Sequence, residues 1–323
     1  FSGQRRGQKQ FLQAVNAYLL SDYEKSEQLM AKCAESSQMT ETAWLTAAKA
    51  SIARNAPGNA KHYLNLIEIN KTKQTPLLET LSLKVQLLIQ QGLLAQARHI
   101  LDDNHKLVGH DYHLLKAEID LCLAESRFAT AIDQIASAKK QKSITATEIN
   151  VWEEKAYLGH FRQLFANSGF EGVSQYWSSL PKKTKQIKAV FLAYTSVLAE
   201  NNLTEPLIDL IHPILKKDVE KDLLDSIKVL PLKDVQPLIA IIQKHLQKNP
   251  ESVKWLSALG HISASSKDWH IAEKAFKDLF RLEETKQDLT CYANVLQHMG
   301  HHKEANAIYQ KVLSPGTQLV KLS

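Results

Sequence analysis

Long hydrophobic runs are missing: no apolar stretch approaches the roughly 18–20 residues that cross a bilayer as a helix, so the residues present offer no membrane span. Cysteine is scarce, with Cys33, Cys122 and Cys291 isolated and odd in number, which excludes a disulfide framework and suits small core residues in a reducing compartment. Only 11 glycines and 9 prolines occur in 323 residues, too few turn formers for an all-β fold, and helix is the default. Charge is dispersed: the net value of +6 is modest for this length, with basic and acidic residues interleaved. Lys182, Lys183, Lys185 and Lys188 form the one convincing cluster, with no zinc-finger spacing or RNA-recognition motif beside it, so no nucleic-acid partner is expected.

What is present is a repeat. Helical hairpins of about 34 residues need a small residue on the second helix, a bulky one four positions later, and apolar positions on the first helix facing them. Ser26 with Met30, Ala60 with Leu64, Ala97 with Leu101 and Ala131 with Ile135 meet this pattern, spaced 34, 37 and 34 residues apart. Turn signals fall at Asp22 and Tyr23, Pro57 and Gly58, and Gly92. Near the C-terminus Leu256, Leu259, Gly260, Ala272 and Phe276 are echoed 33 residues later by Leu289, Tyr292, Ala293, Ala305 and Tyr309. These spacings predict an all-α fold of tetratricopeptide-like hairpins forming a superhelical solenoid.

Three segments are expected: N-terminal repeats over 1–140, a divergent helical segment over 141–250, and C-terminal repeats over 251–323. In the middle segment a helix over Glu148 to Phe165 should be interrupted at Asn167, Ser168 and Gly169, and Pro181 with its lysines opens a helix or a basic loop. Ala189 to Leu215 reads as a degenerate pair, because Pro206 sits where a repeat prefers a good helix former.

No nucleophile–base set, metal constellation or phosphate-binding loop stands out, and no catalytic residue is expected. Repeat geometry turns certain first-helix positions toward a concave groove. Those positions are Lys49, Gln86, Gln90, His113, Lys116 and Asp120 in the N-terminal array, and Lys254, Ser257, His261, Asn294, Gln297 and His298 in the C-terminal pair. A polar helix face is also what mere exposure produces. The HxxH spacings of His110 with His113 and of His298 with His301, beside His302, would put both imidazoles of a pair on one face if a helix ran through them. His298, His301 and His302 are thus nominated as haem ligands, against the more frequent use of turn histidines as exposed groups. Trp152, Tyr176 and Trp177 offer an aromatic platform for a planar ligand, or core packing.

Several segments resemble the HemY family of bacterial inner-membrane tetratricopeptide-repeat proteins: FSGQRR (Phe1 to Arg6), DYEKSEQLMAK (Asp22 to Lys32), GFEGVSQYW (Gly169 to Trp177) followed by KKTK (Lys182 to Lys185), and WLSALG (Trp255 to Gly260). The resemblance implies a membrane anchor preceding the repeats and a repeat domain facing the cytoplasm. It also implies a role in late porphyrin or haem metabolism through protein partners, the enzymes of that metabolism among them. No resident cofactor is expected under this reading; the alternative is a haem or porphyrin carrier. A flavin-dependent porphyrinogen oxidase bearing the same name in other bacteria is a different protein, since no GxGxxG follows a strand-like run here.

Overall fold

The computed structural model describes residues 2–36, 40–69 and 78–314. Phe1, at the start of the first HemY-like segment, and residues 315–323 of the C-terminal repeat region lie outside them. The described residues are all-helical, with no strand among them, and the chain divides into two compact units, residues 1–160 and 161–323.

In the first unit α1 (Ser2–Leu19) pairs with α2 (Tyr23–Ser36), α3 (Thr40–Ala53) with α4 (Pro57–Ile69), and α5 (Leu78–Gln90) with α6 (Leu94–Asp103). After the single turn α7 (His105–Val108), α8 (Tyr112–Ala124) pairs with α9 (Phe128–Ala138), and the first part of α10 (Ala146–Ser179) closes the unit. The hairpins stack in chain order: α2 packs on α3, α3 on α5, and α5 on α8.

In the second unit the remainder of α10, interrupted at Gly169 where φ is +60°, precedes α11 (Lys182–Lys185). The pair α12 (Lys188–Glu200) and α13 (Thr204–Leu215) follows, then α14 (Lys221–Ile227) and α15 (Gln236–Lys248). Two last hairpins are α16 (Val253–Ser265) with α17 (Trp269–Leu279) and α18 (Lys286–His298) with α19 (His302–Leu313).

One turn recurs through both units. Ser21, Asn55, Gly92, Ser126, Asn202, Lys267 and Gly300 all have φ between +56° and +85°. The next residue then donates its backbone N–H to the carbonyl five positions back, from Asp22 to Ala17 through His301 to Leu296, at 2.8–2.9 Å. A left-handed residue closing such a bond satisfies the last carbonyls of one helix and reverses the chain into the next. Glycine fills two of the seven positions without strain.

This turn shows that residues 189–215 form a hairpin of the same kind. Its small position, five residues after the turn, holds Leu207 where the other hairpins carry serine or alanine. Pro206 is tolerated because it stands in the first turn of α13, where its missing N–H would have had no intrahelical acceptor.

The small residues do what the period requires. Ser26, Ala60, Ala97, Ala131, Ala272 and Ala305 are buried. Gly260 leaves room for the Phe276 ring, which a methyl at that position would meet at 2.7 Å. Gly159 does the same for Phe128, at 2.3 Å. Cys33 and Cys122 are buried and Cys291 half-buried, all as free thiols.

Candidate functional site

Each unit holds a recess to which successive first helices contribute, joined in the second unit by the end of α19. In the first unit a groove of about 340 Å³ is bounded by Gln86 of α5, Lys116 and Asp120 of α8, and Thr147, Glu148, Val151 and Trp152 of α10. The start of α10 is fixed by a capping box: Thr145 N donates to Glu148 Oε2 at 2.8 Å, and Glu148 N donates back to Thr145 Oγ1 at 3.2 Å. Glu148 is thereby aimed at α8, where Lys116 Nζ donates to it at 2.6 Å. The bond from Lys116, then those from the Thr145 backbone and hydroxyl, pull the Glu148 carboxyl down to about 2. Asp120 accepts from the Trp152 indole at 2.8 Å; its pKa is raised by burial, against the opposing pull of that hydrogen bond. The groove thus offers fixed, largely neutralised charges and one apolar wall.

In the second unit a recess of about 550 Å³ is lined by His261 of α16, by Lys286, Gln287, Thr290, Cys291 and Asn294 of α18, and by Val312 and Leu313 near the end of α19. Behind it lies a buried polar network. Lys228 Nζ donates to Ser257 Oγ at 2.9 Å, and Ser257 Oγ donates to Asp288 Oδ1 at 2.5 Å. His261 Nε2 reaches the same oxygen at 3.0 Å, which makes that nitrogen the protonated one, and Thr285 Oγ1 donates to Oδ2 at 2.6 Å. Burial pushes the Asp288 carboxyl up, but the bonds from His261, Ser257 and Thr285 and the charge of Lys228 outweigh it and hold the group well below the usual carboxylate range. Burial, then the Asp288 charge, pushes the Cys291 thiol up to about 12. Ser257, His261 and Asp288 carry the residue types of an acyl-transfer set. Here, however, the serine hydroxyl is spent on the carboxylate and engages no imidazole, so the geometry is that of a structural clamp.

Of the residues nominated from repeat offsets, Gln86, Lys116 and Asp120 share the first recess, and His261 and Asn294 share the second. Lys49 and Gln90 are exposed on α3 and α5 outside the recess lining. His113 is half-buried against Tyr112, its carbonyl accepting from Ser82. Lys254 pairs with Asp218 at 2.6 Å over the Trp255 ring, and Ser257 is buried in the network. Asn294 and Gln297 both accept from the Tyr309 hydroxyl.

His298 is exposed and stacks on Trp269 at 4.6 Å between ring centroids. It ends α18, whereas His301 precedes and His302 begins α19, and both are exposed. His110 likewise lies in the turn before α8, so neither HxxH pair shares one helix. Among the described residues no group of three His, Cys, Asp or Glu side chains is arranged to hold a metal ion. Trp152 belongs to the first unit, hydrogen-bonded to Asp120. In the second unit Trp177 stacks on Tyr194 at 4.3 Å and Tyr176 packs edge-on against Phe161.

Sequence reasoning passed over the charged clamps between hairpins. Glu27, buried on α2, accepts from Arg54, Asn59 and Tyr63. Arg98 on α6 grips Glu118 at 2.8 Å and Glu125 at 2.6 Å. Lys139 pairs with the buried Glu153 at 2.5 Å. The only signal for them is a charged residue at a core-facing helical position.

Among the described residues no helix is long and apolar enough to cross a membrane. No family model matches the chain. Two solved assemblies contain chains of related shape: Naa15/Naa10 bound to HypK-THB and the APC/C hetero-tetramer Cut9-Hcn1. Both give a TM-score of 0.38, at 13% and 14% identity, covering 95% of this chain and 53% and 66% of theirs. Protein HemY of Escherichia coli K12, of Escherichia coli O157:H7 and of Shigella flexneri is each 23% identical over 304 residues, 94% of this chain and 76% of the relative. Along nearly its whole length, then, this chain is similar to the proteins named HemY.

Proposed function

We propose that this protein is a non-catalytic scaffold that holds protein partners, enzymes of porphyrin and haem metabolism, in the grooves formed by the first helices of its hairpins. In this reading an anchor preceding the repeats tethers it to the bacterial inner membrane, with the repeats facing the cytoplasm. The observation that carries the proposal is the lining of both recesses. Successive first helices contribute polar groups at one face while their opposite faces make the core, as a surface evolved to hold an extended segment requires. The groove residues proposed to contact a partner are Gln86, Lys116 and Asp120 in one unit and His261 and Asn294 in the other. Lys49, Gln90, His113, Lys254, Ser257, Gln297 and His298 serve as flanking or supporting positions.

The test is crosslinking and capture from solubilised membranes with the wild type and with a variant carrying Gln86→Ala, Gln287→Ala and Asn294→Ala, of which Gln86 is half-buried and the other two exposed. Specific enzymes captured by the wild type and lost with the variant support the scaffold. Identical captures, or none, overturn it. The carrier alternative needs an imidazole directed into an apolar pocket, and the exposure of His298, His301 and His302 favours the scaffold over it. Saturable, near-stoichiometric haem uptake abolished by replacing those three histidines with alanine would reverse that preference.

A further inference from the structure

The lysine cluster singled out in the sequence plays no part in either recess. From Gly172 to Ala199 the chain contains no aspartate or glutamate, and the four lysines between 182 and 188 are its only charged residues. Other stretches also lack acidic residues, such as residues 1–21 with Arg5, Arg6 and Lys9, but nowhere else do four lysines fall within seven residues. Among the described residues none of these four lysines has a carboxylate partner, whereas Lys116, Lys139, Lys228 and Lys254 each have one.

The local structure holds the charges in a fixed place. Pro181, at φ −59°, starts the single turn of α11, which runs directly into α12 through Gln186 and Ile187. Lys182, Lys183 and Lys188 are exposed. Lys185 is half-buried, donates to the Ser178 carbonyl at 3.1 Å and lies 5.8 Å above the Trp177 ring. Trp177 is itself stacked on Tyr194. The turn is thus pinned from beneath by an aromatic stack while three free ammonium groups face water.

We infer that this turn is an electrostatic contact surface for an anionic phospholipid bilayer. Lysines are point charges without the planar fork that reads individual phosphates or carboxylates, so they suit a diffuse anionic plane better than a specific anion. Single-stranded nucleic acid would need open aromatic faces for bases to stack on, and those of Trp177 and Tyr176 are engaged in packing. An acidic protein partner would be expected to meet a mixed polar and apolar rim, whereas the exposed surface between 182 and 188 consists of lysine and glutamine. The inference goes beyond the scaffold reading and does not depend on a tether, because it is tested on this chain alone.

The experiment is flotation of the purified chain with vesicles of phosphatidylcholine and with vesicles of equimolar phosphatidylcholine and phosphatidylglycerol, with a single-stranded RNA oligonucleotide as a separate probe. Each Lys→Gln change should weaken binding to anionic vesicles about fivefold, and the triple variant Lys182→Gln, Lys183→Gln, Lys188→Gln about a hundredfold. That variant keeps Lys185 and its contact with Trp177, so its helical content and melting should match the wild type. Adding Lys185→Gln should weaken binding further. Binding of the wild type should fall steeply between about 0.15 M and 1 M salt as screening shortens. Equal binding to neutral vesicles, no binding to either kind, an unchanged affinity of the triple variant, or RNA binding with the lysine dependence that vesicles lack would each overturn the inference.

Discussion

Replacing Asp288 with asparagine tests the buried network behind the second recess. The change keeps shape and removes one negative charge from a side chain that is 4% exposed. Lys228, also 4% exposed, would then keep Asp225 at 2.7 Å as its remaining carboxylate, and that group is a third exposed and partly solvated. Breaking a buried pair from one side typically costs 3–5 kcal/mol, and the surviving partner places this case near the lower end, about 3 kcal/mol. For a unit of this size that corresponds to a fall in melting temperature of roughly 6–12 °C. Circular dichroism melting reads the loss, and hydrogen exchange at the amides of α16 and α18 locates it. The combined change Asp288→Asn with Lys228→Met should recover much of it, because no lone charge is left inside.

The pH dependence has a definite sign. The Asp288 pKa is depressed in the folded protein, so its contribution is complete above the unfolded carboxylate value of about 3.9 and is lost as pH falls below it toward the folded value. The gap between wild type and Asp288→Asn should therefore be constant from about pH 7 to 5 and close progressively in stronger acid. A gap below about 1 kcal/mol at neutral pH, or one that acid does not narrow, would refute the view that this carboxylate is held ionised by its buried donors.

Gly260→Ala should destabilise the second unit by about 1–3 kcal/mol, since the added methyl meets the fully buried Phe276 ring; chemical denaturation measures it, and Phe276→Leu in the same chain should return part of the loss. Lys267→Gly should stabilise by about 0.5–1 kcal/mol by relieving a lysine held at φ +65°, visible as a raised denaturation midpoint. Arg98→Met should cost about 3 kcal/mol by stranding Glu118, and exchange at the amides of α8 should quicken first. Cys122 and Cys291, pushed up to about 11 and about 12 by burial and nearby carboxylates, should resist iodoacetamide at pH 8 in the folded chain and react once it is denatured, as mass spectrometry would show.

The hairpin period was legible because it depends on local rules. A small residue recurring near every thirty-fourth position, a bulky one four later and a paired apolar face can be read without knowing the partner, since the partner is always the neighbouring helix of the same pattern. Turn chemistry was legible where glycine stands, at Gly92, and hidden where Asn202 or Lys267 adopts the same left-handed backbone at a local cost. The pair at 189–215 reads in sequence only as a degenerate one, because of Pro206, and neither its turn at Asn202 nor Leu207 in its small position adds a repeat signal.

The interiors of the sites depended on contacts between distant residues. Helical offsets place Ser257 and His261 on the groove face, but Lys228, at the end of α14, reaches Ser257, and Asp288 of α18 reaches both. These partners stand 27–31 residues from the side chains they bind, and α14 follows no repeat register. The sequence by itself determined the all-helical class, the repeat and the faces that form the core, because each follows from spacing along one helix. Only the tertiary structure decided which polar groups are locked in the interior and which remain open to a partner, because a charge is buried or free according to whether another chain segment supplies its counterpart.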